Sequence, residues 1–251
     1  MTLLSRALQV ACLFALLAAS SSFADDIPWS YDGGEDGQDT WGTLSEAYVD
    51  CELGKAQSPI IIGQTEILVL PELDFRYHTS KAWARNSGRG VLVSFEEPQV
   101  LNYNHKEYLL KHIAIHSPGE HIVKNRAYKL EVQLMHLNSQ QQKLIVAIPG
   151  DIGYRPPPPI QKMLDHFPRS PTEKPVQFTM NPGALLPKEK GYYTYEGSLT
   201  NPPCTEGVQW IVMKQKIGFS KEQETAITKL VGRNARLTQP VYFRTVKETA
   251  Y

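Results

Sequence analysis

The chain has 251 residues, is 41% hydrophobic and 21% charged, and carries 26 basic against 26 acidic side chains for a formal net charge of zero. Those proportions belong to a globular protein and exclude a disordered one. A balanced charge gives no attraction to nucleic acid or to an acidic membrane surface, so neither is expected as a partner.

The first 24 residues read as a secretory signal peptide. Arg6 supplies a positive start, "ALQVACLFALLAA" a short apolar core, and Ser22 and Ala24 the small residues of a cleavage site after Ala24. The apolar run is short of the roughly 20 residues a membrane span needs, and no later segment is long and apolar enough to cross. Cleavage removes Cys12 and leaves Cys51 and Cys204 in an oxidising compartment. A bridge between them would close a loop of about 150 residues, worth roughly 5 kcal/mol by loop entropy; the alternative is two buried free thiols.

Residues 25–251 read as one mixed domain on a large sheet, with no internal repeat and no interdomain linker. The Gly- and Asp-rich segment "DDIPWSYDGGEDGQDTWG" is expected as a surface arm pinned by Trp29, Tyr31 and Trp41. Strand-like runs follow: "EILVL", "GVLVSF", "EYLLKHIAIH", "YKLEVQLMHL", "KLIVAI" and "GVQWIVMKQKI", most of them β-branched or aromatic and separated by turn residues. Two helices are predicted. In "PPIQKMLDHF", Ile160, Met163, Leu164 and Phe167 share a face. In "SKEQETAITKLVG", Ser220 and Gln223 form a capping box and Gly232 the stop. The "RPPPP" patch from Arg155 to Pro159 reads as a rigid extended turn.

The strand "YLLKHIAIHSPGEH" holds His112, His116 and His121, which raises the question of a metal. On a strand, residues two apart lie on one face about 6.6 Å apart, so histidines at i and i+2 can share a zinc through bonds of about 2 Å. His112 and His116 are separated by roughly 13 Å of extended strand, too far for one zinc, and the position between them is Ala114. On the candidate partner strand, Glu131 and Gln133 share a face while His136 points the other way. The spacing argues against a three-histidine site.

The chain resembles the α-carbonic anhydrases over essentially its whole mature length. The matching pieces occur in family order: "WSY", "CELGKAQSPI", "RNSGRGVLVSF", "HSPGEH", "LEVQLMH" and the long "YYTYEGSLTNPPCTEGVQWIV" from Tyr192 to Val212. The resemblance implies a mostly antiparallel ten-stranded twisted sheet with a conical cleft and peripheral helices, and a Cys51–Cys204 disulfide of the secreted type. Active members hold zinc with two histidines at i and i+2 and a third on the next strand. Anchored on Glu120 and His121, that pattern places the second ligand on His116 but the first on Ala114 and the third on Gln133, while His112 takes the place of a supporting glutamine. Arg89 stands at the proton-shuttle histidine position, and arginine cannot relay protons near neutral pH. Other family positions persist: Thr200, which would orient a bound hydroxide, Glu120, which would accept its proton, and an apolar wall of Met135, Ile145, Leu199, Val208 and Trp210. Asn201 replaces a neighbouring threonine.

Zinc lowers the pKa of its bound water from about 15.7 to about 7, and an apolar wall alone cannot replace that nucleophile. The expectation is therefore an exported, periplasmic or secreted protein of this family that is catalytically silent, needs no cofactor, and acts by binding a small molecule or a protein, or as a structural protein. "SFA" followed by "DD" leans toward a bacterial source. The yam storage proteins of this fold share "E-x-Q-L-x-H" at the third-ligand strand, a local likeness. The alternative is an active zinc lyase hydrating carbon dioxide; weak hydrolytic activity in the cleft is less favoured, since no serine, cysteine or activated base stands near it.

Overall fold

The structure, a computed structural model, describes residues 27–153 and 156–250; residues 1–24, read above as a signal peptide, and Arg155 of the proline patch lie outside them. Its frame is a mixed sheet of thirteen strands. Ten of these run in line: β1 (Glu66–Leu68), β2 (Ser80–Asn86), β3 (Val91–Phe95), β4 (Lys106–His116), β5 (Leu130–Leu137), β6 (Lys143–Ile152), β7 (Val176–Met180), β8 (Tyr192–Ser198), β9 (Glu206–Met213) and β10 (Lys247–Thr249). Their order across the sheet is β7-β2-β3-β4-β5-β6-β9-β8-β10-β1. All neighbouring pairs are antiparallel except β6 with β9 and β10 with β1. Short strands Asp74–Arg76, Val100–Tyr103 and Ile217–Phe219 hang off this path.

Side chains two apart share a face of a strand, and here that alternation divides the molecule. On β5, Leu130, Val132 and Leu134 enter the larger apolar core, as do Ile113 and Ile115 of β4 and Leu144, Val146 and Ile148 of β6. The intervening residues of β6 and β9, Ile145, Ala147, Val208, Trp210 and Val212, build a second core on the opposite face with Ile60, Ile62 and Tyr195. The central strands are largely buried on both sides, and β6 accordingly reads as a near-continuous apolar run from Leu144 to Ile148.

Two helices cover the larger core. Helix α1 (Pro158–His166) buries Ile160 and Met163; helix α2 (Lys221–Val231) buries Ile227 and Val231. The predicted capping box of α2 forms: Ser220 Oγ accepts from Gln223 N at 3.2 Å, and the Gln223 side chain accepts from Ser220 N at 3.1 Å. Gly232 ends α2 at φ 68°, a left-handed conformation that glycine adopts without steric cost. The proline patch differs from the expected extended turn. Pro157 is extended, but Pro158 and Pro159 open α1, where the missing N–H costs nothing.

Four of the ten in-line strands, β2, β7, β8 and β10, and the short strands Asp74–Arg76 and Val100–Tyr103 fall outside the predicted runs. Strand β2 is "SKAWARN", with little β propensity; its small Ala82 and Ala84 alternate into the core, so packing overrides composition. The N-terminal arm is pinned as expected. Trp29, Tyr31 and Trp41 meet edge to face with ring centres 5.2–5.6 Å apart, and Trp41 Nε1 donates to Ser30 O.

Cys51 and Cys204 are bonded across a separation of 153 residues. Closing a loop of that length restricts the unfolded chain, so replacing both cysteines with alanine is expected to lower the unfolding free energy by about 4–5 kcal/mol. Guanidinium unfolding followed by tryptophan fluorescence measures it; a loss below about 1 kcal/mol would contradict the loop-closure account.

Candidate functional site

The second side of β4 and β5 carries the chemistry. His112, Ala114 and His116 alternate on β4 opposite Met135, Gln133 and Glu131 of β5, in that order. With Thr200, Asn201 and Arg89, all of these except Glu131 line a cleft of about 330 Å³ that also takes in Trp29 and Tyr31. Met135, Ile145 and Leu199 form its apolar wall. Val208 and Trp210, assigned to that wall from sequence, stand in the core layer behind it with no exposed surface.

Ala114 and Gln133 are register partners, so the two positions that the family resemblance equates with zinc ligands face each other directly. Gln133 does more than fill its place. Its side-chain Nε2 donates to Glu120 Oε2 at 2.6 Å and to Glu131 Oε1 at 2.9 Å, placing one amide group between two fully buried carboxylates. Gln133 holds both, and Arg89 lies elsewhere, its Nε bonded to Trp29 O and its guanidinium 4.3 Å from the Trp29 ring centre.

Each carboxylate has further donors. Glu120 Oε1 accepts from the backbone N of Arg236 at 2.8 Å and lies 3.6 Å from His116 Nδ1. Among the described residues no hydrogen bond joins it to Thr200, the partner the family pattern would give it; its second oxygen is occupied by Gln133. Glu131 accepts from His121 twice, from the backbone N at 2.9 Å and from the ring Nδ1 at 3.0 Å. Burial pushes the Glu131 carboxyl up, but the adjacent His121 imidazole, its hydrogen bonds and that of Gln133 bring it down to about 2. The network continues from His121 Nε2 to Tyr195 Oη at 2.8 Å, and from there to Ser58 Oγ at 3.0 Å.

His116 is anchored from behind. Its Nδ1 lies 2.7 Å from the backbone O of Asn234, and a carbonyl can only accept, so Nδ1 carries a proton. His112 differs: burial, with Arg85 and His116 nearby, lowers it to about 4. His136 points away from the cleft, as the alternation predicts. Its Nδ1 donates to Leu144 O at 3.2 Å and its Nε2 meets Tyr77 Oη at 2.6 Å; burial is the main reason it too is lowered to about 4. Arg236, which the sequence reading missed, braces the floor. Its guanidinium donates to Gln57 Oε1, Ser58 O and Cys51 O while its backbone N serves Glu120. No motif signals it, because its partners come from segments about 180 residues away.

The donor set does not fit a zinc ion. One histidine faces the position, its β-strand neighbour is a methyl group, and the amide of Gln133 is turned toward two acceptors. Among the described residues no group of three or more His, Cys, Asp or Glu is placed to hold a metal.

Two measurable consequences follow from the buried charges. Gln133→Leu removes a donor from both carboxylates and is expected to cost about 2–5 kcal/mol of stability, against under about 1 kcal/mol for a surface glutamine. The pH dependence has two stages. His112 and His136 are lowered from 6.5 to about 4, so the unfolded chain takes up their protons first and stability falls as pH drops below 6.5. Glu131 is lowered from 4.5 to about 2, so its contribution is full above 4.5 and is lost on the way down to about 2. Urea midpoints measured from pH 8 to 2.5 test this; a midpoint that rises on acidification would reverse the sign.

Comparison with known proteins fits this geometry. A family model described as eukaryotic-type carbonic anhydrase matches residues 36–250. A carbonic anhydrase from Neisseria gonorrhoeae is 32% identical over 247 residues, covering 98% of this chain and 97% of its own length. The α-carbonic anhydrase of Photobacterium profundum superposes with a TM-score of 0.82 at 32% identity, covering 88% of this chain and all of that one. A structure of dioscorin complexed with ascorbate superposes with a TM-score of 0.80 at 33% identity, covering 88% and 97%. By sequence over most of its length and by fold, the chain belongs to the eukaryotic-type, or α-, carbonic anhydrase family.

Proposed function

We propose that this chain is an exported member of its family that works without zinc and without hydrating carbon dioxide, and that its cleft binds a small organic molecule. The observation that carries the reading is the Gln133 amide between Glu120 and Glu131. In that arrangement two buried carboxylates receive hydrogen bonds from a neutral group at the third-ligand position, so the charge balance of the site does not call on a cation. Ala114 opposite it contributes no donor atom.

The cleft itself supports binding rather than a purely structural role. It keeps an apolar wall beside polar groups from several strands, the usual composition of a small-molecule site. The dioscorin relative complexed with ascorbate is a protein of this fold holding a compact organic ligand. Export is supported by the basic, apolar and small-residue succession of residues 1–24 and by the Cys51–Cys204 bond, which belongs to an oxidising compartment. Among the described residues no helix is long and apolar enough to cross a membrane. Zinc-dependent hydration is the competing reading, and it draws on the relatives named carbonic anhydrase.

Metal analysis of the purified protein decides between them. Far less than one zinc per chain, with hydration of carbon dioxide at the buffer rate, is the expected result; stoichiometric zinc retained through dialysis against a weak chelator would overturn the reading. Repair gives the positive control. Ala114→His with Gln133→His supplies the two missing ligands beside His116, and the double variant is expected to take up zinc and gain measurable hydration. Arg89→His added to it should raise the rate further, because imidazole can relay protons and guanidinium cannot.

A further inference from the structure

We propose that the cleft takes a compact, uncharged aromatic molecule with one polar head that both donates and accepts hydrogen bonds, of the class of a primary aryl carboxamide. The assignment rests on the metal-free reading above and adds the chemical class.

The head group follows from the polar atoms left open in the floor. Among the described residues, no side-chain nitrogen or oxygen that is sealed from solvent lacks a hydrogen-bond partner. An atom without a partner therefore keeps contact with open space. Gln133 and Thr200 line the cavity and are only 6% and 3% exposed. Gln133 commits its Nε2 to Glu120 and Glu131, and no described residue donates to its Oε1. The Thr200 hydroxyl has no described partner either. The floor thus offers an acceptor at Gln133 and an O–H at Thr200. His116 adds its Nε2, since its Nδ1 is taken by Asn234 O. A carboxamide carries N–H donors and a carbonyl acceptor in one plane, so it suits this set whether or not His116 Nε2 bears a proton.

The absence of charge on the ligand follows from how the ions around the site are already answered. No carboxylate lines the cavity. Glu120 and Glu131 lie behind Gln133, held by that amide, by His121 and by the Arg236 N–H, and the Arg236 guanidinium attracts Glu120 from behind. A proton on His116 finds the Glu120 carboxylate 3.6 Å from Nδ1. His112, lowered to about 4 mainly by burial, is neutral near pH 7. Arg89 is bonded to Trp29 O and stacked on the Trp29 ring, and in the adjoining groove Asp32 stands with Arg89 and Arg233. A charged head would leave water for a floor that has no counter-ion to give it, which costs far more than burying a neutral head that is hydrogen-bonded.

The body of the ligand meets Met135, Ile145 and Leu199, and a thioether packs favourably against an aromatic ring. A single head at the floor with a flat ring against this wall needs no second polar anchor across the cavity. At about 330 Å³ the cavity falls at the small end of ligand sites, which confines the class to compact molecules.

Benzamide, benzoate and benzamidine share one shape and are neutral, anionic and cationic; acetophenone keeps the carbonyl and replaces the N–H donors with a methyl group. Titration of the metal-analysed protein at neutral pH, followed by ligand-observed NMR, should show benzamide binding at least about tenfold tighter than either ion and about threefold tighter than acetophenone. The backbone amide resonances of Ala114, Gln133 and Thr200 should shift with benzamide. Thr200→Val, which keeps the shape and deletes the hydroxyl, should weaken benzamide and acetophenone by the same factor. The comparisons on the unaltered chain do not depend on that variant folding. Equal or tighter binding of either ion, acetophenone equal to benzamide, no benzamide binding at millimolar concentration, or shifts confined to residues outside the cleft would each overturn the assignment. Such a failure in a sample without zinc sinks the ligand class alone. Stoichiometric zinc in the same sample sinks the metal-free reading beneath it.

Discussion

The interior of this protein depends on a single amide. Gln133 stands where two carboxylates, Glu120 and Glu131, are sealed from water, and it gives one hydrogen to each. Two like charges brought together at low dielectric repel strongly unless donors saturate them. The amide, the His121 ring and N–H, and the Arg236 N–H supply those donors. The substitution of glutamine is thus coupled to the glutamates around it, and reading it as the simple loss of a ligand would miss its structural role.

The same site shows how a sheet separates stability from chemistry. Past the bulge between Leu110 and His112, Ile113 and Ile115 of β4 and Val132 and Leu134 of β5 pack in the larger core, while His112, Ala114, His116, Gln133 and Met135 line the cleft. A change at Ala114 or Gln133 therefore leaves Ile113, Ile115, Val132 and Leu134 untouched in their packing. The apolar face keeps the strands in register, and the register in turn sets Ala114 opposite Gln133.

Much of this was legible before any coordinates. The period-two alternation of "KHIAIH" and "LEVQLMH" identified which residues share a face, and the structure places His136 on the far side from Gln133 as that pattern requires. The capping box of α2 follows from local rules, and so does the aromatic pinning of the arm. What stayed hidden depends on distant segments. Strand β2 has little β propensity and exists because β3 and β7 flank it. Arg236 is one more basic residue in a loop until folding carries it to Gln57, Ser58 and Cys51. The position of Val208 and Trp210 behind the wall could not be told from their strand pattern either, since depth within a core has no period.

Arg236 also joins two features that look unrelated. One side of its guanidinium holds the carbonyl of Cys51, half of the covalent bridge, and its backbone N–H holds Glu120 beneath the cleft. Whatever keeps the cystine region in place therefore also keeps the cleft floor in place. A protein that relied on its metal to organise that floor would lose the pocket along with the ion. Here the floor of the pocket is tied to a covalent crosslink, so the cystine and the cleft cannot shift independently of each other.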